Sequence, residues 1–327
     1  MGNPSLPPGN AVAAAWWRRL PWRTIACLVP ALAVGLWAAE HRSLLVSGGE
    51  DLLAADRFWL LGALAATGLG WVAIACARQG TVLEPLPTGR LLATQFAATA
   101  ANQLTPAGIG AGAVNLRFLR GCGLPLGRTS AALALYSLAE SVGRVTLLLV
   151  LVTAFPHALR LNGLLPDGDA LLFIGAVLAG GLLLVTLFLL SARRVRRFIR
   201  VFLATALTDA RSLHLRPSRA LALWGGSLAF PALQALSLVA VTHALGITVS
   251  APHVAIAYLA ATCLAAGIPA PGGVGSVDAA LAIALVAAGA PTAAATSAVL
   301  AYRIVTVWLP LLPAALTLGA LVRRKVV

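Results

Sequence analysis

Long apolar runs punctuated by arginines and by Gly/Pro clusters dominate this chain. Uninterrupted runs cover roughly 24–39, 58–77, 130–155, 170–190, 221–245 and 291–321. A bilayer crossing by an α-helix needs about 20 apolar residues, so these runs predict six membrane-spanning helices. Two further apolar stretches, about 91–114 and 254–288, are broken. The first contains Pro106, Gly108, Gly110 and Gly112, and the second Pro269, Pro271, Gly272, Gly273 and Gly275. Proline removes a helix donor, and glycine weakens a helix interior. Each stretch is therefore expected to be a pair of short helices joined by an irregular elbow.

The sign of the flanking charges decides how those elbows lie. If both are re-entrant, dipping in and returning to the same side, six full crossings remain and both termini are cytoplasmic. Three basic residues are then external (Arg42, Arg57, Arg160) and two lie within spans (Arg144, Arg303), leaving nineteen of the 24 Lys and Arg on the cytoplasmic side. Glu40, Glu50, Asp51, Asp56, Asp167 and Asp169 are all external. A full crossing by 91–114 would put Arg117, Arg120 and Arg128 outside, against the positive-inside rule. The pattern thus predicts an all-α polytopic membrane protein: about six full spans plus two broken re-entrant hairpins. Irregular backbone at membrane depth is stable only when buried in protein or lining a wet cavity, so two elbows point to a central cavity.

Composition agrees with a membrane solvent. The chain has 327 residues, is 60% hydrophobic and 10% charged, and has a mean hydropathy of +0.91, where soluble domains carry about 25% charged residues. A net charge of +14 would suggest nucleic acid in a soluble protein. Here it reads as topology and as attraction to anionic headgroups, and no nucleic-acid partner is expected. The four cysteines (Cys27, Cys76, Cys122, Cys263) are far apart and suggest neither a disulfide framework nor a metal site; Cys27, Cys76 and Cys263 read as small buried residues. No cofactor is expected. Residues 1–23 form a cytoplasmic tail and an aromatic-basic anchor (Trp16, Trp17, Arg18, Arg19, Trp22, Arg23), 24–322 a single transmembrane domain, and 323–327 a basic tail. The expected location is the inner, cytoplasmic membrane.

The two elbows resemble each other. Pro106-Ala107-Gly108-Ile109-Gly110 and Pro271-Gly272-Gly273-Val274-Gly275 share one pattern, each followed by a polar residue (Asn115, Asp278) and then by a span with an embedded arginine (Arg144, Arg303). With the charge-derived orientation, the first hairpin enters from the cytoplasm and the second from outside. That is an inverted repeat, about 24–155 against 170–322, whose interface is where transporters of this plan hold their substrate.

The chemistry-bearing residues follow from that plan. Glu140 and Arg144 are four apart on one helix face, and their charges are costly at depth unless paired or hydrated. They read either as a self-neutralising packing pair or as a cavity pair in which Arg144 meets a lipid phosphate and Glu140 tunes it or moves a proton. Arg303 has no acid on its own helix, and Asp278 is its expected partner. An arginine fork suits phosphate. Asn102, Gln103 and Gln95 are expected to extend a polar lining. Pro106, Gly108, Gly110, Pro271, Gly272, Gly273 and Gly275 are expected to shape the elbows, with backbone N–H groups available to an anionic headgroup or with glycines serving close helix packing. Gln234 and His243 read as interhelical hydrogen-bond partners, and His41, His157, His214 and His253 as loop or interface residues. The arginine-rich stretch from Ser191 to Arg219 reads chiefly as an orientation signal. No catalytic motif or metal-ligand spacing is present in the sequence.

The runs Asn102-Gln103-Leu104-Thr105-Pro106-Ala107-Gly108-Ile109-Gly110 and Gly267-Ile268-Pro269-Ala270-Pro271-Gly272-Gly273-Val274-Gly275-Ser276-Val277-Asp278, followed by Arg303 and Trp308-Leu309-Pro310, resemble the lysylphosphatidylglycerol synthase transmembrane region, a flippase-like domain family. The resemblance spans about 25–322. It implies translocation or handling of a lipid intermediate. Bifunctional members flip an aminoacylated lipid made by a fused synthase; no room for that synthase follows Val327, so its aminoacyl transfer is not expected here. The family often has Glu where Asp278 stands, and Asp has a shorter reach. The expected function is a non-enzymatic translocase for an anionic or glycosylated lipid, with a membrane phospholipid or lipid-linked sugar as partner. The alternatives are a membrane enzyme acting on a polyprenyl-phosphate-linked or other lipid intermediate, for which Asp167 and Asp169 are the candidates, and an accessory subunit for a lipid-modifying enzyme or glycosyltransferase.

Overall fold

A computed structural model describes residues 55–105, 109–155, 215–265 and 276–324, all within one compact unit, Ser47–Val327. The spans expected at 24–39 and 170–190, and the Pro106, Gly108, Pro271, Gly272, Gly273 and Gly275 of the elbows, lie outside the described residues. Those described form nine α-helices: α1 Arg57–Gly80, α2 Thr88–Leu104, α3 Gly110–Gly121, α4 Leu126–Ala154, α5 Pro217–Ala244, α6 Ala251–Ala265, α7 Ser276–Ala287, α8 Thr292–Arg303 and α9 Leu309–Arg323. A π-helical turn, Ile304–Trp308, welds α8 to α9. Among the described residues there is no strand. Three single helices, α1, α4 and α5, and the composite Thr292–Arg323 are long and apolar enough to cross a bilayer. The chain is an all-α, multi-pass, membrane-embedded protein.

Helices α1 and α5 form an antiparallel seam. Asp56 caps α1 by accepting from Phe58 N (2.8 Å), and its own N–H donates to Ala244 O at the end of α5 (3.0 Å). At the other end Arg219 donates to Gln79 O and Leu83 O (3.0 Å each), neutralising the carbonyl-rich C-terminus of α1. Between these ends the backbones nearly touch. A Cβ on Gly226 would collide with Ala73 O, and one on Gly80 with Leu223 N. Small residues allow such an approach, the usual basis of helix association in lipid. Ser237 Oγ meets Thr67 Oγ1 and donates to Ala63 O (3.2 Å each), adding interhelical hydrogen bonds where water cannot compete.

Helix α4 packs on α5 by a similar device. Pro231 lies inside α5 and has no N–H for the Ser227 carbonyl four residues earlier. Gly143 of α4 comes so close to this freed oxygen that a Cβ there would sit 2.8 Å from it.

Each of the two stretches expected to be broken holds two described helices. The first pair is α2 and α3, of 17 and 12 residues; the second is α6 and α7, of 15 and 12. The two arms of each pair pack on each other. Across the first break Thr105 is the bridge: its hydroxyl donates to Ala101 O (2.9 Å) and accepts from Gly110 N (2.8 Å). That satisfies an orphan N–H at the start of α3. Gly110 lies so close to Ala101 O that no side chain fits. Gln95 and Asn115 lock the arms further, Gln95 Nε2 donating to Asn115 Oδ1 and Asn115 Nδ2 to Ala111 O (2.8 Å each). Gly123, at φ +88, makes the left-handed turn that ends α3 and turns the chain into α4.

Two apolar clusters hold the described residues together. One joins α5–α8 through Leu238, Leu259, Leu281 and Leu285; the other joins α2, α3 and α9 through Leu91, Phe118, Leu119 and Leu321. The exposed faces are apolar as well: Leu138, Val145 and Leu149 on α4, Leu312 and Leu316 on α9. This is the pattern of a lipid-facing exterior. Cys76 corrects the sequence expectation, because it is exposed; Ala73 and Ala77 occupy the face of α1 turned to α5, and Cys76 lies beside that face.

Candidate functional site

Within this apolar shell is a cavity of about 710 Å³. Helix α1 contributes Thr67, Trp71, Ile74 and Arg78, a stripe at spacings of four, three and four that falls on one helical face. From α2 come Gln95, Asn102 and Gln103, and from α3 Gly112 and Asn115. Helix α4 gives Tyr136, Ser137 and Glu140, and α5 gives Phe230 and Gln234. Tyr258 and Thr262 of α6, Tyr302 and Arg303 of α8, and Thr306 of the π-turn close the wall.

Both intramembrane arginines are paired. Arg144 Nη2 donates to Glu140 Oε1 at 2.6 Å, each side chain about a fifth exposed (21% and 22%). Arg303 Nε donates to Asp278 Oδ1 across α8 and α7, so the shorter aspartate reaches its partner. Glu140 and Arg303 line the cavity, whereas Arg144 and Asp278 are not among its wall residues. Each pair thus presents one member to the interior and keeps the other behind it. Tyr258 lies within electrostatic reach of Glu140, Arg144 and Arg303 and meets Tyr302 edge to face, ring centroids 5.9 Å apart. The tyrosines therefore connect the two pairs across the cavity.

The π-turn positions the second pair. Pro310, in the first turn of α9, cannot donate to the carbonyl of Thr306. The helix accommodates this with a widened turn immediately after Arg303. Such π-bulges recur at functional sites because they re-aim the side chains around them. Thr306 keeps its hydroxyl on Tyr302 O (2.7 Å).

Asn102 and Gln103 lie on the wall, as the sequence suggests. Asn102 Oδ1 is buried without a hydrogen-bond partner among the described residues. Gln234 departs from its expected role: it lines the cavity with Oε1 equally unpartnered. His243 stacks on Trp59 of α1 at 4.8 Å, and His253 is a half-buried residue contacting Ser250. His41, His157, His214, Asp167 and Asp169 lie outside the described residues.

The sequence reading misses Arg78. Counting charges by side makes it one more orientation residue near a span end. In the structure it is only 9% exposed, with its guanidinium carbon 3.7 Å from the centroid of the Tyr136 ring. Its four- and seven-residue spacing to Ile74 and Trp71 carried the signal. The aromatic wall residues Tyr136, Tyr258 and Tyr302 were equally legible as polar-tipped rings inside apolar helices.

An apolar exterior around a polar, ion-paired interior defines an integral membrane protein with a polar cavity among its helices. The lysylphosphatidylglycerol synthase TM region family matches residues 23–314, and the chain belongs to it. Membership makes this a multi-pass membrane protein of lipid metabolism or transport. No curated protein matches the chain significantly.

Proposed function

We propose that the protein is a lipid translocase, moving an anionic or glycosylated lipid across the inner membrane by passing its headgroup through this cavity, without catalysing a covalent step. One observation carries the reading: a cavity of about 710 Å³, lined by Glu140, Arg303 and side-chain amides, lies inside helices whose outer faces are apolar. The volume falls within the ~300–1,000 Å³ range of small-molecule sites and suits a headgroup whose acyl chains stay in lipid. Glu140 lines the wall as an acidic group and Arg303 and Arg78 as basic ones, with Arg144 paired to Glu140 and Asp278 to Arg303. A passing phosphate can exchange one partner for another without meeting bare hydrocarbon.

In this reading the two helix pairs are re-entrant hairpins. At about 1.5 Å per residue, arms of 17 and 12, or 15 and 12, residues are each shorter than the ~30 Å hydrocarbon core. The arms of each pair also pack side by side. Both termini are then cytoplasmic, and any lipid-modifying enzyme or glycosyltransferase partner works on the face where the lipid is loaded.

The test is translocation of a headgroup-labelled phosphatidylglycerol in proteoliposomes. Arg303→Ala and Glu140→Gln are expected to lower the rate at least tenfold with the protein still folded. Rates equal to the unaltered protein would overturn the proposal. A turnover assay with lipid-linked sugars distinguishes the enzymatic alternative, which requires a chemically altered lipid as product.

A further inference from the structure

Three guanidinium groups and two carboxylates cluster in and behind the cavity wall: Arg78, Arg144 and Arg303 against Glu140 and Asp278. The carboxylates are engaged by Arg144 and Arg303. Arg78 has no ion-pair carboxylate among the described residues, and its Nε is buried with no hydrogen-bond partner. Glu140 lies within electrostatic reach of it, but that carboxylate is already held at 2.6 Å by Arg144. Capping of α1 does not occupy Arg78 either. The Arg78 carbonyl is served by Thr81 Oγ1 at 2.7 Å, and the next carbonyls by Arg219. The cluster therefore carries one surplus positive charge, on a side chain nine-tenths buried and turned onto a cavity wall.

A buried, uncompensated charge costs several kcal/mol, and an arginine lying on Tyr136 recovers only part of that through its cation–π contact. An incoming anion would complete the balance. The neighbouring wall narrows its identity. Asn102 Oδ1 and Gln234 Oε1 are buried acceptors lacking donors, so the matching ligand carries hydroxyl groups beside its negative charge. Reversing either amide exchanges acceptor for donor, which a hydroxyl also satisfies.

We infer that Arg78 is the anchor of a phosphate-binding subsite in the cavity, with Asn102 and Gln234 reading hydroxyl groups borne by the same ligand. This deepens the proposed function and rests on its reading of the cavity as a headgroup site. Arg78 holds the phosphate in its planar fork, and the paired Arg303 is the second station rather than the first. Phosphoglycerol and sugar-phosphate headgroups have this chemistry; so, in its charge alone, does free phosphate.

The experiment uses the full chain in phosphatidylcholine nanodiscs doped with phosphatidylglycerol, with co-purifying lipid counted by native mass spectrometry. The unaltered protein is expected to retain phosphatidylglycerol over phosphatidylcholine. Arg78→Gln should lower that retention about tenfold or more, the size of one lost charge-assisted hydrogen bond, and Arg78→Lys should recover part of it. Equal retention by Arg78→Gln would overturn the inference, as would an Arg78→Lys variant no better than Arg78→Gln. Added inorganic phosphate separates the sources. Displacement of phosphatidylglycerol identifies a phosphate site open to solution, and no displacement identifies one reached through lipid. Lipid retention that depends on Arg78 in a protein that moves no lipid would sustain this subsite while ending the translocase proposal.

Discussion

The ion pair between α7 and α8 offers a measurable test of the cavity's construction. Asp278→Asn leaves Arg303 without its charge partner, and Arg303→Gln does the reverse. Removing one member of a fully buried pair costs about 3–5 kcal/mol. Here the Asp278 side chain is 28% exposed and the Arg303 side chain 11%, and Arg303 lines the cavity. The lower end applies to Asp278→Asn, about 3 kcal/mol, because the cation that loses its carboxylate is the more buried member. Arg303→Gln should cost about 2 kcal/mol, since the stranded carboxylate is better hydrated. The double variant replaces both charges with amides that can hydrogen-bond to each other. It should lose less than the sum, giving a coupling of about 2 kcal/mol, within the range for groups in contact. Reversible unfolding in mixed micelles, or steric trapping in bicelles, would supply the four free energies. Additivity to within about 0.5 kcal/mol would refute the pair as an energetic unit and leave it a coincidence of placement.

Other expectations concern single groups. Gly226→Ala and Gly80→Ala push a methyl into the opposing backbone and should destabilise by about 1–3 kcal/mol or more, whereas Gly62→Ala and Gly68→Ala, with nothing within 4 Å, should be neutral or slightly stabilising in the same unfolding assay. Thr105→Val removes the hydroxyl that bridges α2 and α3 and should cost about 1 kcal/mol, with faster amide exchange at Gly110. Cys122, an exposed residue between α3 and α4, has its thiol pushed up by partial desolvation, against a smaller downward pull from Arg90. A raised thiol holds less thiolate at any given pH, so a Cys122-only variant should react more slowly with maleimide than a free thiol, its rate curve displaced to higher pH. A curve overlying that of free cysteine would contradict this.

Much of the helical plan was readable from hydropathy, because lipid demands long apolar runs and leaves few alternatives. The division of these stretches into separate helices, α2 from α3 and α6 from α7, was readable because Pro and Gly have few uses inside such runs. The partnership of Asp278 and Arg303 followed from a rule about cost: a lone arginine at depth needs an anion, and few acids are available. Arg78 escaped because a charge count records sign and position along the chain but not the direction of a side chain. Orientation depended on the helical stripe it shares with Thr67 and Trp71. The π-turn escaped for a related reason. Pro310 announces a lost donor, but whether the helix kinks or widens depends on what Arg303 and Tyr302 pack against.

The glycine contacts between α1 and α5, extended to α4 through Gly143, leave no slack for sliding. These helices are best regarded as a stator. In the proposed translocase, alternation of access among the described elements falls to the α2–α3 and α6–α7 pairs and the widened turn below α8. If the protein is the translocase proposed above, a covalent tether across the α1–α5 seam should leave transport intact, while one fastening α7 to α8 should arrest it, and the opposite result would exchange the fixed and moving parts.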